Sequence, residues 1–206
     1  YFVMALNNHS YGELLLYPYG YANDIPTPEN ELFEIVSEVL VSKNGYDNIL
    51  SSGLYPAAGD SDDFMYGTIG THDKIYAMTP EVGPQNFGFW PPANAIDQLN
   101  KSSLLMNLRT AHLVHSYAQI VDDSPTIISQ ESAIIPLTLT NYGLASGDVT
   151  VTVDEGDNNI EVAFTEQIYT LDHLGAAEVI IDYQVLAAES ADLSFLVTIS
   201  NGDYTY

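Results

Sequence analysis

The chain contains no cysteine. That excludes disulfides, thiolate metal sites and a cysteine nucleophile. It also has very little positive charge. Lys43, Lys74, Lys101 and Arg109 face 28 acidic residues, for a formal net charge of −24. This balance excludes a protein that tracks nucleic-acid phosphates, and it argues against docking on an anionic membrane. No apolar run approaches the roughly 20 residues of a membrane span, so no membrane insertion is expected. What is present is apolar material: 46% of the 206 residues are hydrophobic, enough for a packed core.

The charge is unevenly spread. Residues 1–121 hold 13 acidic and four basic residues, whereas residues 122–206 hold 15 acidic and none that is basic. Such a step predicts two domains, with a boundary at about residue 121. The opening run Tyr1-Phe2-Val3-Met4-Ala5-Leu6 has no basic flank, so it is not a signal peptide. Being continuous and apolar, it reads as a strand buried on both faces. A strand of that kind needs neighbours on both sides, which predicts that the chain starts in the middle of a fold.

Periodicity organises the rest. Segment 12–21 reads as a second strand running into a loop. Thr27 as N-cap and Pro28 at the first helical position introduce a helix, with Leu32, Ile35, Val36, Val39 and Leu40 at helical spacing and Asn44-Gly45 closing it. Residues 46–70 are rich in Gly, Ser, Asp and Ala and predict a long loop, a feature that tends to carry function. Ile75–Thr79 is a short strand that delivers Glu81. The two glycines and three prolines from Gly83 to Pro92 preclude regular structure. A helix is predicted from about Ala93 to Ile120, its buried stripe made by Ile96, Leu99, Leu104, Leu105, Leu108, Leu113 and Tyr117. Beyond Asp122 the period drops to two, over 133–140, 148–154, 160–164, 178–183 and 193–200. Short strands at that spacing predict an Ig-like β-sandwich.

The candidates for chemistry are His9, Tyr55, Asp62 and Glu81. From the residues alone, His9 follows a strand at the edge where open α/β sheets place their sites, and Glu81 arrives on another strand. Each also has a plain structural reading, as a satisfied polar or surface residue. His112 and His115, at i and i+3, form a weak metal pattern beside the plainer reading of a polar helix face. Asp154, Asp157, Asn158 and Asn159 fit a hairpin turn better than a calcium loop.

Three motifs go further. HSYGELLLYPYGY at 9–21, YPAAGDSDDFMYG at 55–67 and TPEVG at 79–83 followed by GFWPPANAI at 88–96 resemble, in order, segments of the zinc carboxypeptidases of the pancreatic carboxypeptidase A/B type. The resemblance covers roughly residues 1–120. It implies an α/β fold for 1–121, as the C-terminal part of a mixed-sheet catalytic domain, followed by an all-β accessory domain over 122–206. It implies that His9 is a zinc ligand and Glu81 the catalytic base and acid. Tyr55 becomes the mobile tyrosine over the substrate, and Leu16, Gly20, Leu50, Asp62 and Thr79 line the pocket for the C-terminal side chain. Asp62 in that pocket implies preference for C-terminal Lys or Arg, and Asp63 matches a structural aspartate.

The sequence departs from the family pattern in two respects. It contains no His-x-x-Glu motif, and Arg109 is its sole arginine. A catalytic zinc takes three protein ligands. The expectation is therefore zinc in the intact enzyme, with none at full occupancy and no peptidase activity in this chain alone. The expected partners are peptide or protein C-termini, with self-association through the unpaired strand. The expected location is secreted or cell-surface, of bacterial type. The alternative is a non-catalytic peptidase-like scaffold with a binding or adhesive sandwich.

Overall fold

The computed structural model describes residues 2–68, 70–122, 132–156, 158–186 and 192–205. The chain divides into two compact units, Tyr1–Val114 and His115–Tyr206.

The first unit carries a four-stranded mixed sheet in the order β1-β4-β2-β3. Its strands are β1 (Met4–Leu6), β2 (Leu14–Tyr17), β3 (Asp47–Leu50) and β4 (Tyr76–Glu81). β1 lies parallel to β4, β2 antiparallel to β4, and β3 parallel to β2. Helix α1 (Asn30–Val41) buries Leu32, Phe33, Val36, Val39 and Leu40. This is the stripe that a 3.6-residue period places on one face. Phe33 is fully buried, and its ring stacks on Tyr17 and meets Tyr66 and Tyr76.

Four expectations need correction here. β1 is an edge strand in which only Met4 is buried, and Phe2 is 82% exposed; an apolar run records what a strand can bury, not what lies beside it. α1 starts at Asn30 with Glu29 as its flanking residue, while the Thr27 carbonyl accepts the Asn30 N–H. The expected loop over 46–70 contains β3 and helix α2 (Ser61–Gly67). Finally, the long helix α3 spans Ile96–Leu113 and buries Ser103, Met106, Arg109 and Leu113, leaving Ile96, Leu104, Leu105 and Leu108 exposed. The buried face of α3 is thus partly polar. Arg109 donates to the Val39 carbonyl and to Ser42 Oγ, satisfying the carbonyl end of α1 as a C-terminal cation does.

The second unit begins earlier than the expected boundary. Where the long helix was expected to continue, Ala118–Asp122 forms strand β5 and pairs antiparallel with β6 (Ser132–Asn141). The stretch Ala118-Gln119-Ile120-Val121 ends in two β-branched residues, which favour the strand state. One antiparallel sheet has the order β5-β6-β10-β8, with β8 Ile160–Ala163 and β10 Ala176–Val185. The other has the order β11-β7-β9, with β7 Gly147–Glu155, β9 Gln167–Leu171 and β11 Phe195–Ser200. Ile135, Leu137, Leu139, Val179 and Ile181 from the first sheet share one core with Val149, Val151, Leu171 and Ile199 from the second.

Asn141 organises one end of this unit. It is fully buried, and its Oδ1 accepts the N–H groups of Tyr117 and Gly143. Its Nδ2 donates to the carbonyls of Ala145 and Asp172. Gly143 is required beside it, because a Cβ there would lie 1.9 Å from the His115 carbonyl oxygen.

Candidate functional site

β1 runs on past Leu6 beside the end of β4. The Asn7 N–H donates to the Met78 carbonyl, the His9 N–H to the Pro80 carbonyl, and the Val82 N–H to the His9 carbonyl. This ladder makes His9 and Glu81 parallel bridge partners. The sequence expectation that one strand end delivers a histidine and the next a glutamate is therefore met in the backbone itself. His9 is exposed, while Glu81 is 6% exposed.

Glu81 Oε2 is buried and has no hydrogen-bond partner. Burial pushes the Glu81 pKa up, and the nearby His9 works in the opposite direction. An orphaned carboxylate oxygen is uncommon, because buried polar atoms are normally satisfied. Such a group favours proton uptake when a donor arrives.

Asp62 lies near the start of α2 and is 3% exposed. Its Oδ1 accepts Asn7 Nδ2 at 2.7 Å, and its Oδ2 accepts Thr79 Oγ1 at 2.7 Å. Burial raises its pKa to about 6. The bonds from Thr79 and Asn7 oppose the rise, and the charges of Asp60 and Asp63 add to it. Thr79 pairs in register with Leu16 across β4 and β2, and both are buried. Leu50 ends β3, half-buried.

The neighbouring aspartates build the frame. Asp60 caps α2 by accepting the Asp63 N–H, a standard use of a short polar side chain. Asp63 in turn accepts the N–H groups of Gly20 and Tyr21. Gly20 has no room for a side chain, since a Cβ would sit 2.4 Å from Asp60 Oδ2. Tyr55 stands on the loop before α2, 64% exposed. No hydrogen bond or ring contact among the described residues ties it to His9 or Glu81. The arrangement thus joins His9 to Glu81, and Asp62 to Thr79 and, through Asp60 and Asp63, to Gly20.

Asn7, the amide partner of Asp62, was not singled out from the sequence. A polar residue directly after an apolar strand looks like the start of a loop, although its hydrogen bonds continue the ladder. Asp60 carried a usable signal, an N-cap acid with a second acid three residues on.

Among the described residues there is no group of three or more His, Cys, Asp or Glu side chains that could hold a metal ion. His9 alone does not make a zinc centre, so no step is derived through a metal here. His112 lies in the last turn of α3, while His115 falls beyond the end of the helix, so the two are not one helical pair. Asp157, part of the loop weighed for calcium, lies outside the described residues. Among the described residues, no helix is long and apolar enough to cross a membrane.

The pattern of the zinc carboxypeptidase family matches residues 1–106. Carboxypeptidase B of Rattus norvegicus is 31% identical over 119 residues, which cover 54% of this chain and 28% of the relative. Zinc carboxypeptidase A 1 of Drosophila melanogaster is 32% identical over 100 residues, 45% of this chain and 23% of the relative. Carboxypeptidase A1 of Sus scrofa is 35% identical over 96 residues, 43% of this chain and 22% of the relative. The chain spans about a quarter of the length of these relatives.

Proposed function

Because this chain belongs to the zinc carboxypeptidase family, we propose that it supplies the C-terminal part of the active site of a peptidase that hydrolyses the last peptide bond of peptides and proteins. The observation that carries this reading is the buried, unpartnered Glu81 Oε2 beside the strand that bears His9. Family membership implies zinc in the intact enzyme. His9 is proposed as one ligand, the others lying outside this chain, which contains no His-x-x-Glu motif.

In this reading Glu81 takes a proton from the attacking water, whose oxygen bonds to the scissile carbonyl carbon. When the carbon–nitrogen bond breaks, Glu81 returns the proton to the leaving amine. Tyr55 is proposed to close over the substrate, for which an exposed loop position is suitable. Leu16, Gly20, Leu50 and Thr79 are proposed to line the pocket for the C-terminal side chain, with Asp62 at its base. The buried carboxylate of Asp62 supports a preference for Lys or Arg ends, because it pairs with an ammonium or a guanidinium. The second unit is proposed to be an Ig-like β-sandwich accessory domain of a secreted or cell-surface bacterial-type enzyme. Taken alone, the chain is proposed to be inactive and to self-associate through its exposed β1 edge and the exposed Leu104, Leu105 and Leu108 of α3.

The test uses the intact protein and peptides ending in Arg, Lys, Phe or Leu. Glu81→Gln is expected to lower turnover by about 10²–10⁴-fold while peptide binding persists. Asp62→Ile is expected to weaken the basic preference by roughly 2–5 kcal/mol. An intact protein that binds peptides, yet cleaves none in either form, would support a non-catalytic scaffold instead.

A further inference from the structure

Three elements converge on the Asp62 carboxylate: α2 carries it, β4 brings Thr79, and the stretch following β1 brings Asn7. Only the amide nitrogen of Asn7 can face the carboxylate, because an amide oxygen there would repel it. The same Nδ2 donates to Ser61 Oγ at 2.9 Å, and the Asn7 backbone is held by the Met78 carbonyl. The side chain is thus held at its amide nitrogen and at its backbone.

Both donors are neutral. A lysine or arginine in the place of Asn7 would cancel the charge of Asp62, whereas an amide and a hydroxyl orient the carboxylate and leave its charge intact. Each carboxylate oxygen has about two lone-pair sites; Oδ1 accepts from Asn7 and, at 3.5 Å, from Ser61 Oγ, whereas Oδ2 accepts from Thr79 alone, so an acceptor site stays open on Oδ2. Thr79 is buried and Asn7 half-buried, so Asn7 is the donor nearer solvent.

We propose that Asn7 is a positioning residue for substrate selection: it holds Asp62 in the orientation that receives a basic C-terminal side chain. The inference rests on Asp62 being the base of the specificity pocket. It assigns a role to a residue outside the three resemblance motifs, and it makes a separate claim from the pocket itself.

The test compares the intact enzyme with its Asn7→Leu, Asn7→Ala and Asp62→Asn variants. Steady-state kinetics are measured on paired peptides ending in Arg and Phe. Calorimetry measures binding of free L-arginine and L-phenylalanine. Asn7→Leu, which keeps the volume and removes the donor, is expected to raise KM for the Arg peptide about ten-fold more than for the Phe peptide, with kcat for Arg moving much less than KM. L-Arginine affinity is expected to fall in parallel. Asn7→Ala is expected to follow the same pattern. Equal losses on both peptides would make Asn7 merely structural and overturn the proposal. Unaltered selectivity in both Asn7 variants, with selectivity abolished in Asp62→Asn, would overturn the role of Asn7 and leave the pocket standing. An unmodified enzyme with no basic preference would overturn both.

Discussion

The two units use acidic residues in opposite ways. The second is the more acidic, with no lysine or arginine, yet every described Asp and Glu in it is exposed. Among its described residues the buried polar groups are Ser116 and Asn141. The first unit has fewer acids and takes Asp62 and Glu81 out of water, at 3% and 6% exposure. Burying a carboxylate is costly unless it is hydrogen-bonded or can protonate, so a fold keeps one inside only for a reason. Abundant charge marks a solvated surface, whereas a scarce, buried charge marks the candidate site. Composition marked the step between the two units, while the candidate site lies where acids are fewer but buried.

The sharpest way to break the comparison is to attack Asn141, the buried amide that organises one end of the second unit. Asn141→Leu leaves the Tyr117 and Gly143 N–H groups without their acceptor. Each unsatisfied buried group costs about 1–3 kcal/mol, so a loss of about 4 kcal/mol is expected in the denaturant transition of the second unit. A loss below 1 kcal/mol would mean that the amide is not structural.

Next in size is a pH effect confined to the first unit. Folded Asp62 holds its proton up to about pH 6, from an ordinary value of 3.8. Between those values the folded chain binds more protons than the unfolded one. The contribution of Asp62 is therefore fully present below pH 3.8 and is lost as the pH rises through about 6. A displacement of this size corresponds to about 3 kcal/mol. Asp62→Asn is expected to remove that dependence, so the variant gains on the parent chain between pH 4 and pH 7 in chemical denaturation. Identical pH profiles would show that Asp62 does not titrate in this window.

The third effect concerns the buried cation. Arg109→Met keeps the aliphatic stem but removes the donor to the Val39 carbonyl and Ser42. Hydrogen bonds from a charged group contribute about 1.5–3 kcal/mol, and a loss of about 2 kcal/mol is expected from the first unit's thermal or denaturant transition. The second unit's transition should not move.

These residues also mark what the sequence disclosed. The apolar periodicity of α1 and the alternation of β6, β7 and β10 were legible because burial enforces them. The strand-borne meeting of His9 and Glu81 was legible because both follow short apolar runs. β5, β9 and α2 were not. β5 follows directly on a helical pattern, and α2 is built from Ser61-Asp62-Asp63, residues that favour turns until a cap such as Asp60 fixes them. The burial of Asp62 was implied by the resemblance and not readable from local pattern, since its partners Asn7 and Thr79 lie 55 and 17 residues away. Nor could the sequence choose which face of α3 is buried. Its leucines predicted one face, but the cap supplied by Arg109 to α1 and the burial of Met106 fall on another.

The smallest expected effect compares two ion pairs inside the first unit. Lys74 pairs with Glu29, whose other carboxylate contacts are Tyr66 Oη and Tyr76 Oη, and the ammonium lies 5.1 Å and 5.8 Å from those two ring centroids. Burial works against ionisation of Glu29, but the bonds from Lys74, Tyr66 and Tyr76 outweigh it and its pKa is lowered. Lys101 pairs with Asp97 one turn away on α3, with side chains 73% and 80% exposed. The first pair is part of a network that excludes some water, whereas the second is open to solvent and to salt. Lys74→Met should therefore cost about 1 kcal/mol or slightly more, while Lys101→Met should stay within about 0.5 kcal/mol. Double-mutant cycles with Glu29→Gln and Asp97→Asn, repeated at low and high salt, separate the two. The coupling at Lys74 should survive salt in large part, and that at Lys101 should vanish. Equal couplings with equal salt dependence would mean that partial burial gives an ion pair no advantage here, and the contrast between placed and merely abundant charge would then hold only for groups as deeply buried as Asp62 and Glu81.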